Sequence, residues 1–153
     1  MNEIENYIRN CKKQGKKIAL TCGCFSILHP GHLEYFKLSK EICDILIVGL
    51  NSDDYILKNK NIKKILFKEK ERLEIILSIK YVDNAFLFCD DNFSKYITKL
   101  KPDYFIKGVD YLNVINNEEL EACNKTKTKI LFLGNEKKYS STEIIRNDGG
   151  KFD

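Results

Sequence analysis

Residues 17–32 read KIALTCGCFSILHPGH, and the change of character inside this stretch decides the fold. Lys17 to Cys22 is a short apolar and β-branched run of the kind that forms a buried strand. Gly23, Cys24, Phe25 and Ser26 then lead to a Pro-Gly corner at Pro30 and Gly31, after which the spacing turns helical. Pro30 presets φ for a first helical turn, and Gly31 lets the backbone come close to a ligand. His29 and His32, the two histidines of the chain, lie three apart across that corner. Both imidazoles are predicted to point into one crevice beside the N–H groups of a helix start, which is an anion site. A lone histidine there would more simply cap the helix. Two of them around Pro-Gly, directly after a strand, favour phosphate binding instead.

The same alternation runs outward along the chain. Strands are predicted at 17–22, 44–50, 84–89, 103–108 and 129–134, each a short run rich in β-branched or aromatic residues. Helical spacing is predicted at 31–42, 52–57, 68–80, 92–100, 117–123 and from Ser141, with a helical extension over residues 1–15. Alternating strands and helices imply right-handed crossovers and a parallel sheet covered on both faces. The expected fold is α/β, a Rossmann-like, doubly wound, five-stranded parallel sheet, with residues 1–153 in a single domain. Ligands of such sheets bind beyond the carboxyl ends of the strands where strand order reverses, so the loop holding both histidines is the first candidate site.

Composition narrows the partners. The 153 residues are 43% hydrophobic and 31% charged with two prolines, the profile of a folded globule. A net charge of +4 suits phosphate-bearing small molecules and falls short of a nucleic-acid-binding surface. The lysines at 12–17 and 58–70 otherwise serve as solvated surface. The charged amino terminus lacks the apolar core of a secretory signal, and no apolar run approaches the roughly twenty residues of a membrane span. A cytoplasmic location without membrane contact is therefore expected. Six scattered cysteines are expected as reduced thiols, not as a disulfide framework. Zinc held by Cys22, Cys24, His29 and His32 is the alternative, at a spacing that zinc sites do not normally use. No P-loop stretch occurs, which disfavours a P-loop kinase.

GCFSILHPGH, residues 23–32, resembles the Gly-x-Phe-Asp-x-x-His-x-Gly-His signature of the cytidylyltransferase-like nucleotidyltransferases. The resemblance continues through VGLNSDDY (48–55), ERLEIILSIKYVD (71–83), KPDYFIKGVDY (101–111) and SSTEII (140–145). Within the family these segments look most like the adenylyltransferase domain of ADP-heptose synthase, which joins ATP to heptose 1-phosphate. Glycerol-3-phosphate cytidylyltransferase is similar, with a shorter segment between the positions of Asp53 and Arg72.

The resemblance implies that His29, His32 and Lys60 are catalytic, with Lys58 as the alternative register for the lysine. Gly23, Cys24, Phe25, Gly31, Gly108, Asp110, Ser140, Ser141 and Thr142 would bind the nucleotide, while Ser26 and Arg72 would meet the acceptor. Arg146 would add positive charge near the Ser140 turn. Ser26 departs from the signature, which has aspartate there, and this bears on the acceptor more than on the reaction. The implied reaction joins a nucleoside triphosphate, ATP or CTP, to a sugar phosphate. Glycerol 3-phosphate or another polyol or amino-alcohol phosphate is the second acceptor class, and a non-catalytic nucleotide- or metal-binding module is the reading from another class. Mg²⁺ is expected with the triphosphate, no dedicated metal ligands are evident, and a homodimer is expected.

Overall fold

A computed structural model of the chain describes residues 1–60 and 64–134. Five parallel strands form one sheet in the order β3-β2-β1-β4-β5: β1 (Ile18–Gly23), β2 (Ile45–Asn51), β3 (Asn84–Phe88), β4 (Tyr104–Gly108) and β5 (Lys129–Leu133). The chain winds outward from β1 to β3, then crosses back to place β4 on the other side of β1. Strand order thus reverses between β1 and β4, where Thr21 pairs with Val48 on one side and Ile106 on the other.

Both faces of the sheet are covered, as the apolar strands require. On one face Ile18, Leu20, Ile47, Phe86, Phe88 and Phe105 pack against α1 (Asn2–Lys13), α5 (Ser94–Leu100) and α6 (Asn117–Thr126). On the other, Ala19, Leu46, Val48, Leu50 and Ile106 pack against α2 (Pro30–Ile42) and α4 (Glu69–Leu77). The short α3 (Asp53–Asn59) follows β2, capped by Ser52, whose hydroxyl accepts the Tyr55 N–H at 3.2 Å. Sequence periodicity missed one element, the 3₁₀ turn η1 (Val109–Tyr111) after β4.

Residues 1–15, expected as an extension, prove integral to the core. Ile4, Ile8 and Cys11 recur at helical spacing and are buried in the same cluster as the strand residues. Lys12 Nζ caps the end of α5 through the carbonyls of Leu100 and Lys101. The predicted helix from Ser141 lies outside the described residues. Among the described residues no helix is long and apolar enough to cross a membrane.

A row of aspartates fixes the amino-terminal edge of the sheet. Asp44, just before β2, accepts the Lys17 N–H at 2.7 Å. Asp83, just before β3, accepts the Leu46 N–H at 2.7 Å, and Asp103, just before β4, accepts the Ile18 N–H at 3.0 Å. Each carboxylate satisfies a main-chain donor on the neighbouring strand or just before it, so the strands are pinned in register at the end away from the histidines.

Candidate active site

The loop between β1 and α2 carries the histidines to the carboxyl edge of the sheet. His29 is the N-cap residue of α2, extended at φ −141° and ψ 166°, and its side chain makes no cap hydrogen bond. Pro30 occupies the first turn, as its fixed φ favours. The His32 N–H donates to the His29 carbonyl at 2.9 Å. This turn stacks the two imidazoles with ring centres 3.7 Å apart and planes 21° from parallel, and Nδ1 of each is buried. They therefore form one unit at the start of a 13-residue helix.

Phe25 sets the depth of that unit. Its ring meets His32 edge-on at 5.2 Å and Phe36 at 5.3 Å. Its backbone is left-handed, with φ at +46°. A Cβ at Gly23 would come within 3.0 Å of the Phe25 ring, so glycine at that position makes the inward fold of the loop possible. Tyr35, one turn further along α2, ties the helix to the sheet: its hydroxyl donates to the Ile106 carbonyl at 2.9 Å and bonds Thr21 Oγ1 at 2.7 Å. Burial raises its pKa, so the phenol stays protonated and available as that donor.

Arg72 sits at the head of α4 with 1% of its surface exposed. Its Nε donates to the Phe67 carbonyl at 3.2 Å, one terminal nitrogen to the Cys24 carbonyl at 2.5 Å, and the other to the Asn51 carbonyl and Asp53 Oδ1, both at 2.9 Å. Four of the five guanidinium donors are thus committed to the loop after β1, the end of β2, the start of α3 and the segment before α4. The family resemblance implies that Arg72 meets an acceptor. Its geometry is that of a clamp that holds the loop carrying Cys24 and Phe25.

Ser26 and Arg72 share a cavity of about 140 Å³ with Phe25, Leu28, Phe67 and Ile75. Lys60 ends α3, its N–H donating to the Ile56 carbonyl at 2.9 Å. Its charge is close enough to act on Cys24: burial raises that thiol's pKa, and Lys60 and then Arg72 oppose the rise. Lys58, two residues earlier, is exposed. Cys24 Sγ lies 3.6 Å from Asn51 Oδ1.

Gly108 ends β4 and Asp110 lies on η1. A Cβ at Gly108 would run into Asp110 Oδ1, so the carboxylate folds over the end of the strand. The structure therefore brings His29, His32, Gly23, Cys24, Phe25, Ser26, Gly31, Lys60, Gly108 and Asp110 to the carboxyl edge of the sheet around β1 and β4. Ser140, Ser141, Thr142 and Arg146 lie outside the described residues. Cys22, Cys24, Cys43, Cys89, Cys11 and Cys123 are all free thiols. Among the described residues no three His, Cys, Asp or Glu side chains are grouped to hold a metal ion.

Two charged residues outside the site escaped the sequence reading. Lys107 and Glu119 form an ion pair beneath the β4 end, their side chains 10% and 4% exposed. The available signal was parity: Lys107 follows Phe105 by two in a strand and so shares its inward face.

Comparison with known proteins fits this geometry. The sequence model of the cytidylyltransferase-like family matches residues 20–147. Bifunctional protein HldE of Helicobacter pylori strain J99 is 42% identical over 117 residues, which is 75% of this chain and 25% of that protein. HldE of Desulfatibacillum aliphaticivorans is 31% identical over 149 residues, 96% of this chain and 30% of that protein. The chain thus spans between a quarter and a third of the length of these curated relatives. The crystal structure of a lipopolysaccharide core biosynthesis protein from Thermoplasma volcanium GSS1 superimposes with a TM-score of 0.67 at 32% identity, covering 82% of this chain and all of that one. With the family's signature on the switch-point loop and its sequence model spanning most of the sheet, the chain belongs to the cytidylyltransferase-like family of nucleotidyltransferases.

Proposed function

We propose that this chain joins ATP or CTP to a sugar phosphate, heptose 1-phosphate-like, giving a nucleotide-activated sugar and pyrophosphate. The observation that carries the reading is the stacked His29–His32 pair at the start of α2, beside the point where strand order reverses. The HldE relatives add the sugar branch of the family to it.

The chemistry needs few groups. An oxygen of the acceptor's own phosphate attacks the α-phosphorus, the new P–O bond forms as the bond to the β-phosphate breaks, and pyrophosphate leaves with the electron pair. The attacking oxygen is already anionic near neutral pH, so no general base is required. Charge gathers on the equatorial oxygens and the leaving group, and fixed donors there lower the barrier. In this reading His29, His32 and the N–H groups of the first turn of α2 supply those donors. Lys60 approaches from the end of α3. Asp110 accepts from a ribose hydroxyl beside Gly108, and Ser26 faces the acceptor. Ser140, Ser141 and Thr142 keep their place as a second phosphate site on sequence grounds.

Mg²⁺ belongs to the same reading as an ion carried by the triphosphate, where it neutralises phosphate charge. A homodimer is part of the proposal and is tested by sedimentation.

The deciding experiment is pyrophosphate release with ATP, CTP, GTP and UTP against heptose 1-phosphate, other sugar 1-phosphates, glycerol 3-phosphate and amino-alcohol phosphates. Turnover with ATP or CTP and a sugar 1-phosphate is expected. Turnover confined to CTP and glycerol 3-phosphate would move the chain to the polyol branch, and nucleotide binding without turnover would make it a non-catalytic module.

A further inference from the structure

On the α1, α5 and α6 face, under the carboxyl end of β4, lies a charged cluster that the transfer reaction does not use. Lys107 Nζ is 3.1 Å from Glu119 Oε2, 3.5 Å from Glu119 Oε1 and 3.8 Å from Cys22 Sγ. It also sits over two aromatic faces, 4.8 Å from the centre of Tyr111 and 5.1 Å from that of Phe105. Burial works against the ammonium, but the Glu119 carboxylate outweighs it and holds the Lys107 pKa above the ordinary lysine value. Burial pushes the Cys22 thiol up to about 12, so the sulfur is present as a neutral thiol near pH 7 and the carboxylate is the partner that matters.

A buried ion pair is a weak device for stability, because apolar residues of matching volume commonly serve as well. This pair is distinguished by its place. Tyr111 closes the 3₁₀ turn that begins at Val109 and carries Asp110, and that turn packs on β5 and on the end of β4. Tyr111 is 40% exposed, and Leu112, just after the turn, 57%. Glu119 meanwhile accepts the Phe93 N–H at 3.0 Å, so its carboxylate is itself fixed by the N-cap of α5.

We propose that Lys107 is a positioning residue for nucleotide binding: held by Glu119, it fixes the Tyr111 ring from below and thereby holds the Val109–Tyr111 turn that presents Asp110. The ammonium serves as a rigid peg between a carboxylate and an aromatic face. The inference rests on the reading above that Gly108 and Asp110 meet the nucleotide.

The test is the double variant Lys107→Met, Glu119→Gln. Methionine keeps the unbranched stem, and glutamine keeps an acceptor for the Phe93 N–H while leaving no unpaired buried charge. The first readout needs no ligand: amide exchange at Leu112 and Val114, whose N–H groups bond the Val109 and Tyr111 carbonyls at 3.1 Å each. Exchange there should rise about tenfold, the scale of one desolvated cation–π contact, with the amides of β1 and β2 unchanged. The second readout is kinetic: KM and Kd for the triphosphate should rise about tenfold while kcat at saturation stays within about twofold. Unchanged exchange at Leu112 and Val114, or a rise shared equally by β1 and β2, overturns the proposal, as does unchanged triphosphate affinity. Failure of wild type to bind any triphosphate would sink the nucleotidyl-transfer reading instead, and the exchange comparison would still decide whether Lys107 holds the turn.

Discussion

Phe25 is held at a φ of +46°, a left-handed conformation that costs a residue with a Cβ about 1 kcal/mol. Its ring offsets that cost by packing between His32 and Phe36, so the loop's shape and the histidine stack are one feature. Loss of His32 should therefore cost a little stability, while both histidines should be needed for turnover. His29→Ala and His32→Ala are each expected to lower kcat at least about a hundredfold, the scale of losing a transition-state donor, with thermal midpoints within about 4 °C of wild type. Pyrophosphate release and thermal unfolding of the same samples check both halves. Ser26→Asp is expected to change the order of preference among acceptor phosphates, because a carboxylate adds repulsion near phosphates and a strong hydroxyl acceptor at once. An acceptor screen with identical rankings for both proteins would show that residue 26 does not set specificity. The histidine corner was legible in the sequence because its parts are local: a strand, a Pro-Gly turn and two side chains three residues apart. Lys107 and Glu119 were not, since they are twelve residues apart on a strand and a helix and meet only through the fold.

At the scale of elements, α4 reaches the site through its first turn. Arg72 bonds carbonyls from three segments, and a side chain of that kind is recognisable from sequence only as a charge near a helix start. Its burial comes from tertiary packing, which periodicity does not report. Arg72→Met is expected to cost about 3 kcal/mol, as breaking a buried, hydrogen-bonded charge does, with some relief because Asp53 is 17% exposed. Arg72→Lys should recover only part of this, since a lysine is a point charge and cannot span the same carbonyls. Urea unfolding of both variants measures it, and equal stability of Arg72→Lys and wild type would show that the fork geometry is immaterial. Among the described residues the predicted strands and α-helices, by contrast, lie close to where the structure has them, with α1 the exception in role: Ile4, Ile8 and Cys11 are visible as a stripe, but what the stripe packs on depends on the whole sheet.

Across the whole molecule, the two edges of the sheet are built differently. Burial works against ionisation of Asp103, but the Ile18 N–H and the Lys17 ammonium outweigh it and hold its carboxyl below the usual carboxylate range. A folded pKa below the unfolded one, about 3.9, means that the stabilisation is complete above that value and is lost as pH falls through the folded pKa. Asp103→Asn should therefore lower stability near neutrality and flatten the loss below about pH 4. Urea midpoints from about pH 7 down to about pH 2 test this, and parallel acid limbs for variant and wild type would refute it.

Asp44, Asp83 and Asp103 secure the strands at the edge farthest from the histidines, so the frame does not lean on the loops proposed to meet substrate. For protein engineering this makes the domain a chassis with replaceable fittings. The loops after β1 and β4 can be exchanged for those of a relative with another acceptor while the carboxylate rail keeps strand register, and Arg72 sets the limit of such surgery, because a transplanted first loop must still offer it a carbonyl at position 24.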